Sequence, residues 1–146
     1  MYVLLGDGEI DEGQVWEAAM AASHYQLDNV TAILDRNRQQ IDGWTKDVMT
    51  LEPLTDKWRA FGWHVLEIDG HDMEAILKAL AQAQQIKGKP TIVIAHTTKG
   101  KGISFMECNL RFHGSAPSRE EMEQGLSEIR TEERCRFCQV QYPGPC

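Results

Sequence analysis

The chain alternates short apolar runs with amphipathic stretches. Residues 2–6, YVLLG, form a continuous apolar run that stops at Gly6-Asp7-Gly8. A run of this kind, without polar alternation, is the pattern of a parallel strand covered on both faces. A polar turn over residues 9–13 follows. Residues 14–27 then carry a helical pattern, with Val15, Ala18, Ala19 and Ala22 on one face. Asp11 and Glu12 suit the start of that helix, where negative charge meets the positive end of the dipole. A second apolar run, residues 30–34, leads into Asp35-Arg36-Asn37, and residues 36–44 read as a loop.

The same alternation continues. Residues 54–61 read as a short helix, with Pro53 near its first turn, Gly62 just past its end, and Trp58 and Phe61 facing the core. Residues 63–68 are a third strand. Residues 69–72 are a turn, in which Asp72 caps an amphipathic helix over 73–85 with Ile76, Leu77, Leu80 and Ala83 inward. Residues 91–96 form a fourth strand. Strand-helix-strand, repeated, predicts an α/β fold: a doubly wound, mostly parallel sheet with helices on both faces and right-handed crossovers. After residue 97 the pattern weakens to a loop. Ser118 and Glu121 then fit a capping box opening an acidic helix. Pro143-Gly144-Pro145 points to a loose end, and residues 131–146 are expected to form a disordered tail. The ordered domain is expected to span residues 1–130.

This order gives Asp7 and Asn37 a special place. Two strands joined by a helix bring both residues to one edge of a parallel sheet, and open α/β sheets bind ligands at the carboxyl ends of their strands. Asp7 offers a carboxylate oxygen and Asn37 an amide oxygen. Magnesium takes a few protein oxygens and completes its shell with water and substrate phosphates. Gly6 and Gly8 let backbone approach a ligand closely, and amides entering the next helix can face a diphosphate. The competing reading is a tight strand-to-helix turn followed by an ordinary turn.

The other polar features are weaker. TTKGKG, residues 97–102, could touch a phosphate but lacks the full phosphate-loop spacing, and a solvated basic loop explains it as well. His71 lies among acids without a second ligand at helical spacing. His113, in Phe112-His113-Gly114, could donate a hydrogen bond or shuttle a proton; an exposed loop histidine is the alternative. Cys135 and Cys138 make half of a zinc site at most, with Cys108 and Cys146 as the remaining thiols.

A resemblance sharpens these readings. Gly-Asp-Gly, about thirty residues of strand-turn-helix-strand and then an asparagine is similar to the thiamine diphosphate motif. GDGEIDEGQVWEAAMAASHYQLDNVTAILDRN, the Ile41-Asp42-Gly43 that follows, and TTKGKGISFMECNLRFHGSAP resemble the N-terminal, diphosphate-binding half of transketolase, including split enzymes in which that half is its own polypeptide. The likeness runs from Tyr2 to about Glu121. It implies a thiamine diphosphate-binding fold and a divalent metal (magnesium, or calcium or manganese) held by Asp7, Asn37 and the backbone carbonyl of Gln39. It implies that Gly6, Asp7, Gly8, Glu9, Asn37, Ile41 and His113 line the cofactor, with His113 also meeting substrate. Glu12 would lie at a dimer interface.

The implied activity is transfer of a two-carbon ketol unit between sugar phosphates. The resemblance also implies missing parts. Family members carry a long segment before the Gly-Asp-Gly strand, so the chain reads as incomplete at its N-terminus. A glutamate from another domain contacts the cofactor's aminopyrimidine, so a C-terminal subunit or further domains are expected as partners. Other thiamine enzymes, of the deoxyxylulose-phosphate synthase or dehydrogenase E1 type, remain alternatives. So does a non-catalytic fragment that binds a partner through its alanine-rich helix.

Composition narrows the setting. The net charge of -7 argues against general affinity for nucleic acid or anionic membrane. It says nothing against a diphosphate, because a bound metal sets the local field. No apolar run approaches the roughly 18 residues of a membrane span, and no basic leader precedes the first strand. A cytoplasmic location is the resulting expectation.

Overall fold

The computed structural model describes residues 1–130; the tail with Cys135, Cys138 and Cys146 lies outside the described residues. The chain divides into two compact units, Met1–Thr97 and a second beginning at Thr98.

In the first unit, strands β1 (Tyr2–Gly6), β2 (Thr31–Arg36), β5 (His64–Asp69) and β6 (Thr91–His96) form one sheet in the order β1-β2-β6-β5. All three pairings are parallel. A two-stranded antiparallel ribbon, β3 (Gln39–Gln40) with β4 (Gly43–Trp44), stands apart from it. The loop expected over residues 36–44 is therefore a short hairpin. Ribbons this short are set by their turn, not by hydrophobic periodicity.

Helices cover both faces, as the repeated strand-helix pattern predicts. Helices α1 (Gly13–His24) and α3 (Leu54–Ala60) meet the face presenting Ala32, Leu34, Ile92 and Ile94. Helix α4 (Met73–Gln85) brings Ile76 and Leu80 to the opposite face, beside Ile33, Val93 and Ala95. Parity along each strand explains the division, because alternate side chains point to opposite faces.

An aromatic cluster fills the first face. Trp58 is fully buried; Trp16 and Trp63 each lie with ring centroids 5.0 Å from it. Phe61 meets Trp16 at the same separation. Trp16 donates its indole N–H to the Ile10 carbonyl at 2.7 Å, and Trp63 donates to Ala19 at 3.0 Å. These bonds satisfy the polar ends of bulky rings and tie α1 to the turn after β1 and to the residue before β5. A short helix, α2 (Thr45–Val48), follows the hairpin.

Several expected faces turn out otherwise. Ala18 is exposed; Val15, Trp16, Ala19 and Ala22 make the buried stripe of α1. Leu77 is 61% exposed, and Ala79 takes its place in the core with Ala83. Strand β1 is not covered on both faces: it is a sheet edge, and Tyr2 and Leu4 are exposed. Asp72 caps α4 as expected, accepting from the Glu74 and Ala75 amides at 2.9 and 3.2 Å.

The second unit contains a 3-10 turn at Leu110–His113 and helix α5 (Arg119–Arg130). The capping box forms: Ser118 N–H donates to the Glu121 carboxylate at 2.8 Å, and Glu121 N–H to the Ser118 hydroxyl at 3.3 Å. Arg111 pairs with Glu121 through two bonds, 2.6 and 2.9 Å long.

The contrast between Trp58 and Leu77 is testable. Trp58→Ala empties a packed site and is expected to cost about 3–5 kcal/mol, whereas Leu77→Ala, on an exposed face, should stay within about 0.5 kcal/mol. Urea denaturation of both variants checks this; equal losses would contradict the packing described.

Candidate functional site at the carboxyl edge of the sheet

The parallel register places the two motif ends side by side. Gly6 pairs with Asp35 across β1 and β2, so Asp7 leaves β1 beside Arg36 and Asn37. Arg36 has the parity of Ala32 and Leu34 and points inward; it is buried, as is Asp7. A buried arginine demands carboxylate partners. Arg36 has two: its Nη1 lies 3.1 Å from Asp7 Oδ2, and its Nη2 lies 3.0 Å from Glu52 Oε1. Nη1 also donates to the Thr45 hydroxyl at 3.3 Å.

Asp7 Oδ2 accepts a second bond, from the Arg38 amide. Arg38 has φ 65°, in the left-handed region that non-glycine residues seldom adopt. Strain of that sort collects at functional sites. Asp7 Oδ1, by contrast, is buried without a hydrogen-bond partner. An orphaned, desolvated oxygen of this kind is costly. Burial pushes the Asp7 carboxyl above the usual range, against the pull of the Arg36 guanidinium and the Arg38 N–H.

Asn37 lies one residue before this contact. Its Oδ1 accepts from the Gln39 amide at 2.9 Å, an Asx turn that leaves the oxygen a further lone pair. Thr45 N–H donates to the Arg38 carbonyl at 2.9 Å, and Gln39 faces Trp44 in the next ribbon position. Alternation in an antiparallel ladder then turns the Gln39 N–H and C=O away from β4. The Gln39 side-chain amide is buried, and both its polar atoms lack partners.

One carboxylate oxygen, one amide oxygen and one outward carbonyl make an all-oxygen donor set, suited to a hard divalent cation. Among the described residues no three His, Cys, Asp or Glu side chains gather as a metal cluster. The donor set and the orphaned Oδ1 fit the metal that the sequence resemblance implies.

The remaining expected residues are less closely engaged. Gly6 donates its N–H to the Glu9 carboxylate at 2.6 Å, so that amide is already occupied. Gly8 is exposed, has φ -71°, and an added Cβ would meet only the Gln40 side chain at 3.7 Å. Its conformation does not demand glycine, but a bare backbone there leaves the turn open. Ile41 is 72% exposed, so it is not tucked into the core of this unit. Glu12 stands exposed at the start of α1 and makes no side-chain cap bond. His113 ends the 3-10 turn of the second unit, exposed.

Sequence reading missed Arg36, Thr45 and Glu52. The signal for Arg36 was present: an inward parity position occupied by a cation. The signal for Glu52 was not, because nothing local ties residue 52 to residue 36.

A parallel sheet with helices on both faces and polar residues at adjacent strand ends defines a doubly wound α/β domain of the kind that binds ligands at that edge. Comparison with known proteins identifies the family. Residues 1–137 match the family model "Transketolase, thiamine diphosphate binding domain", and the chain belongs to that family. It is 49% identical over 128 residues to one subunit of an apulose-4-phosphate transketolase from Phocaeicola vulgatus, covering 88% of this chain and 46% of that protein. It is 48% identical over 132 residues to one subunit of a 6-deoxy-6-sulfo-D-fructose transketolase from a Clostridium species, covering 90% and 48%. The chain thus spans about half the length of these curated relatives. The crystal structure of transketolase from Campylobacter jejuni superimposes with a TM-score of 0.80 at 33% identity, over 93% of this chain and 24% of that one.

The Arg36–Asp7 pair carries a prediction. Arg36→Met leaves the Asp7 carboxylate buried beside no cation, and breaking a buried pair from one side costs about 3–5 kcal/mol. Urea denaturation at neutral pH should show a loss of that size. A change below about 1 kcal/mol, the scale of exposed pairs, would contradict the burial of the pair.

Proposed function

We propose that this chain supplies the diphosphate- and metal-holding half of a transketolase-type site, for transfer of a two-carbon ketol unit between sugar phosphates. The observation that carries the reading is the orphaned Oδ1 of Asp7, buried at the strand edge beside the Asn37 turn. Asp7, Asn37 and the Gln39 carbonyl would hold a divalent metal, magnesium by the chemistry of the donors. Gly8 and its neighbours would face the diphosphate, with Glu9 and Ile41 along the cofactor. Thiamine diphosphate, when bound, supplies the carbanion chemistry that a protein side chain cannot.

The chain's own residues do the holding and orienting. Asp7 brings a negative charge to the cation, and Asn37 adds a neutral oxygen. The open Gly8 turn lets diphosphate oxygens approach the backbone. His113 would be the histidine that meets diphosphate or substrate, as the sequence resemblance implies. Glu12 would meet a second subunit. The group that contacts the aminopyrimidine would come from a partner chain or further domains, in line with the relatives that are named as transketolase subunits. No helix among the described residues is long and apolar enough to cross a membrane; a cytoplasmic location goes with this reading.

Binding is the direct test. Half of the pocket would come from elsewhere, so binding by the chain alone should be weak. A ligand that binds the folded form still stabilises it by linkage, so millimolar thiamine diphosphate with magnesium chloride should raise the melting temperature of the chain, and Asp7→Asn should abolish the shift. A flat response in the unaltered chain at millimolar cofactor would overturn the proposed site.

Activity separates this half-site from a self-sufficient enzyme. The purified chain alone should show no ketol transfer from a ketose phosphate to an aldose phosphate. Co-purification from the source cell should recover a chain carrying the pyrimidine-binding domain, and adding it should give turnover. Turnover without a partner would overturn the half-site reading.

A further inference from the structure

We propose that Gln40 is a positioning residue that holds the Asp11 carboxylate against the hairpin and so keeps that charge off a diphosphate at the Gly8 turn. The inference rests on the diphosphate site proposed above.

The turn carries the wrong charge for such a ligand. Gly8 opens a 3-10 turn made of Glu9, Ile10 and Asp11, and Glu12 follows. The Asp11 N–H donates to the Gly8 carbonyl at 3.3 Å, so Asp11 stands one turn from Gly8. A diphosphate is strongly anionic, and like charges brought together near a protein surface repel. The backbone there can receive an anion only if the carboxylates beside it are kept away. Two of them are turned back onto the protein. Glu9 accepts the Gly6 N–H at 2.6 Å. Asp11 Oδ2 accepts from the Gln40 side-chain amide, Nε2, at 2.8 Å.

Gln40 is set in the fold for this contact. It lies in β3 and is buried, in contrast to its exposed neighbour Ile41. A buried amide needs partners. Its Nε2 has two hydrogens to give: one goes to Asp11, and the Met49 carbonyl lies 3.4 Å from the same nitrogen. The Gln40 Cγ lies 3.7 Å from the place a Cβ on Gly8 would take. The side chain therefore passes beside Gly8 and ends on Asp11.

In this role Gln40 does not touch the ligand and acts through Asp11. Removing its amide frees a carboxylate one turn from Gly8, and the freed charge opposes the diphosphate. That repulsion is screened by salt and disappears when residue 11 is neutral. Lost packing beside Gly8 would show neither property.

The test is thermal-shift titration of the 146-residue chain with thiamine diphosphate, magnesium chloride held constant. Gln40→Leu should raise the cofactor concentration that gives half the maximal shift by about fivefold at low salt. Sodium chloride at about 0.5 M should remove most of the difference between this variant and the unaltered chain. Adding Asp11→Asn to Gln40→Leu should restore the affinity at low salt. Asp11→Asn alone should bind at least as tightly as the unaltered chain. Gln40→Met, which keeps the length of the side chain, takes the place of the leucine variant if that one does not fold.

A loss that is equal at both salt concentrations, or one that Asp11→Asn does not repair, would assign Gln40 to packing and overturn the proposal. Unchanged affinity on replacing Gln40 would overturn it as well. In those cases the diphosphate site stands, because the unaltered chain still binds. No shift in the unaltered chain would overturn the site and this inference with it.

Discussion

A single buried carboxylate organises the edge of this sheet. Asp7 sits where β1 ends, out of water, beside a guanidinium that is also out of water. Moving two such ions from solvent costs several kcal/mol each, and their attraction repays this only when the remaining lone pairs are satisfied. Here one oxygen is satisfied and the other is not. The orphaned oxygen is an electrostatic cost, and the metal site proposed above would account for it. Stability given up at one point for the sake of a ligand is a recurring feature of functional sites.

The rest of the first unit serves to hold that carboxylate in register. Parallel pairing of β1 with β2 sets Asp7 beside Arg36 and Asn37, and a slip of one residue would turn Arg36 to the other face. The aromatic cluster of Trp16, Trp58, Trp63 and Phe61 guards against such a slip by packing α1 and α3 onto one side of the sheet. The hairpin after Asn37 is part of the same device. Its Asx turn and the left-handed Arg38 direct one amide to Asn37 and another to Asp7.

Membership of the transketolase thiamine diphosphate-binding family gives this edge its meaning. The match covers most of the chain but only about half of the subunit relatives and a smaller share of the full-length transketolases. The β1 edge is unpaired within this sheet, and Tyr2, Leu4 and Ile41 are exposed.

How much was legible beforehand depends on the range of the interaction. Helix α4 and strand β6 were read at the residues where they occur, because periodicity and an Asp72 cap are local signals. The placement of Asp7 and Asn37 after adjacent strand ends was legible too, since strand-helix-strand order fixes which ends of a parallel sheet lie side by side. The hairpin at residues 39–44 was not, because two-residue strands carry no period. Periodicity also told which residues share a face but not what covers it, so Ala18, Leu77 and the outer face of β1 were assigned to the core although they meet solvent. Tertiary structure alone decided that Arg36 joins Asp7 to Glu52 and that Oδ1 is the oxygen left over: those contacts depend on how α3 and the hairpin pack, and no stretch of chain short enough to read as a pattern contains them all.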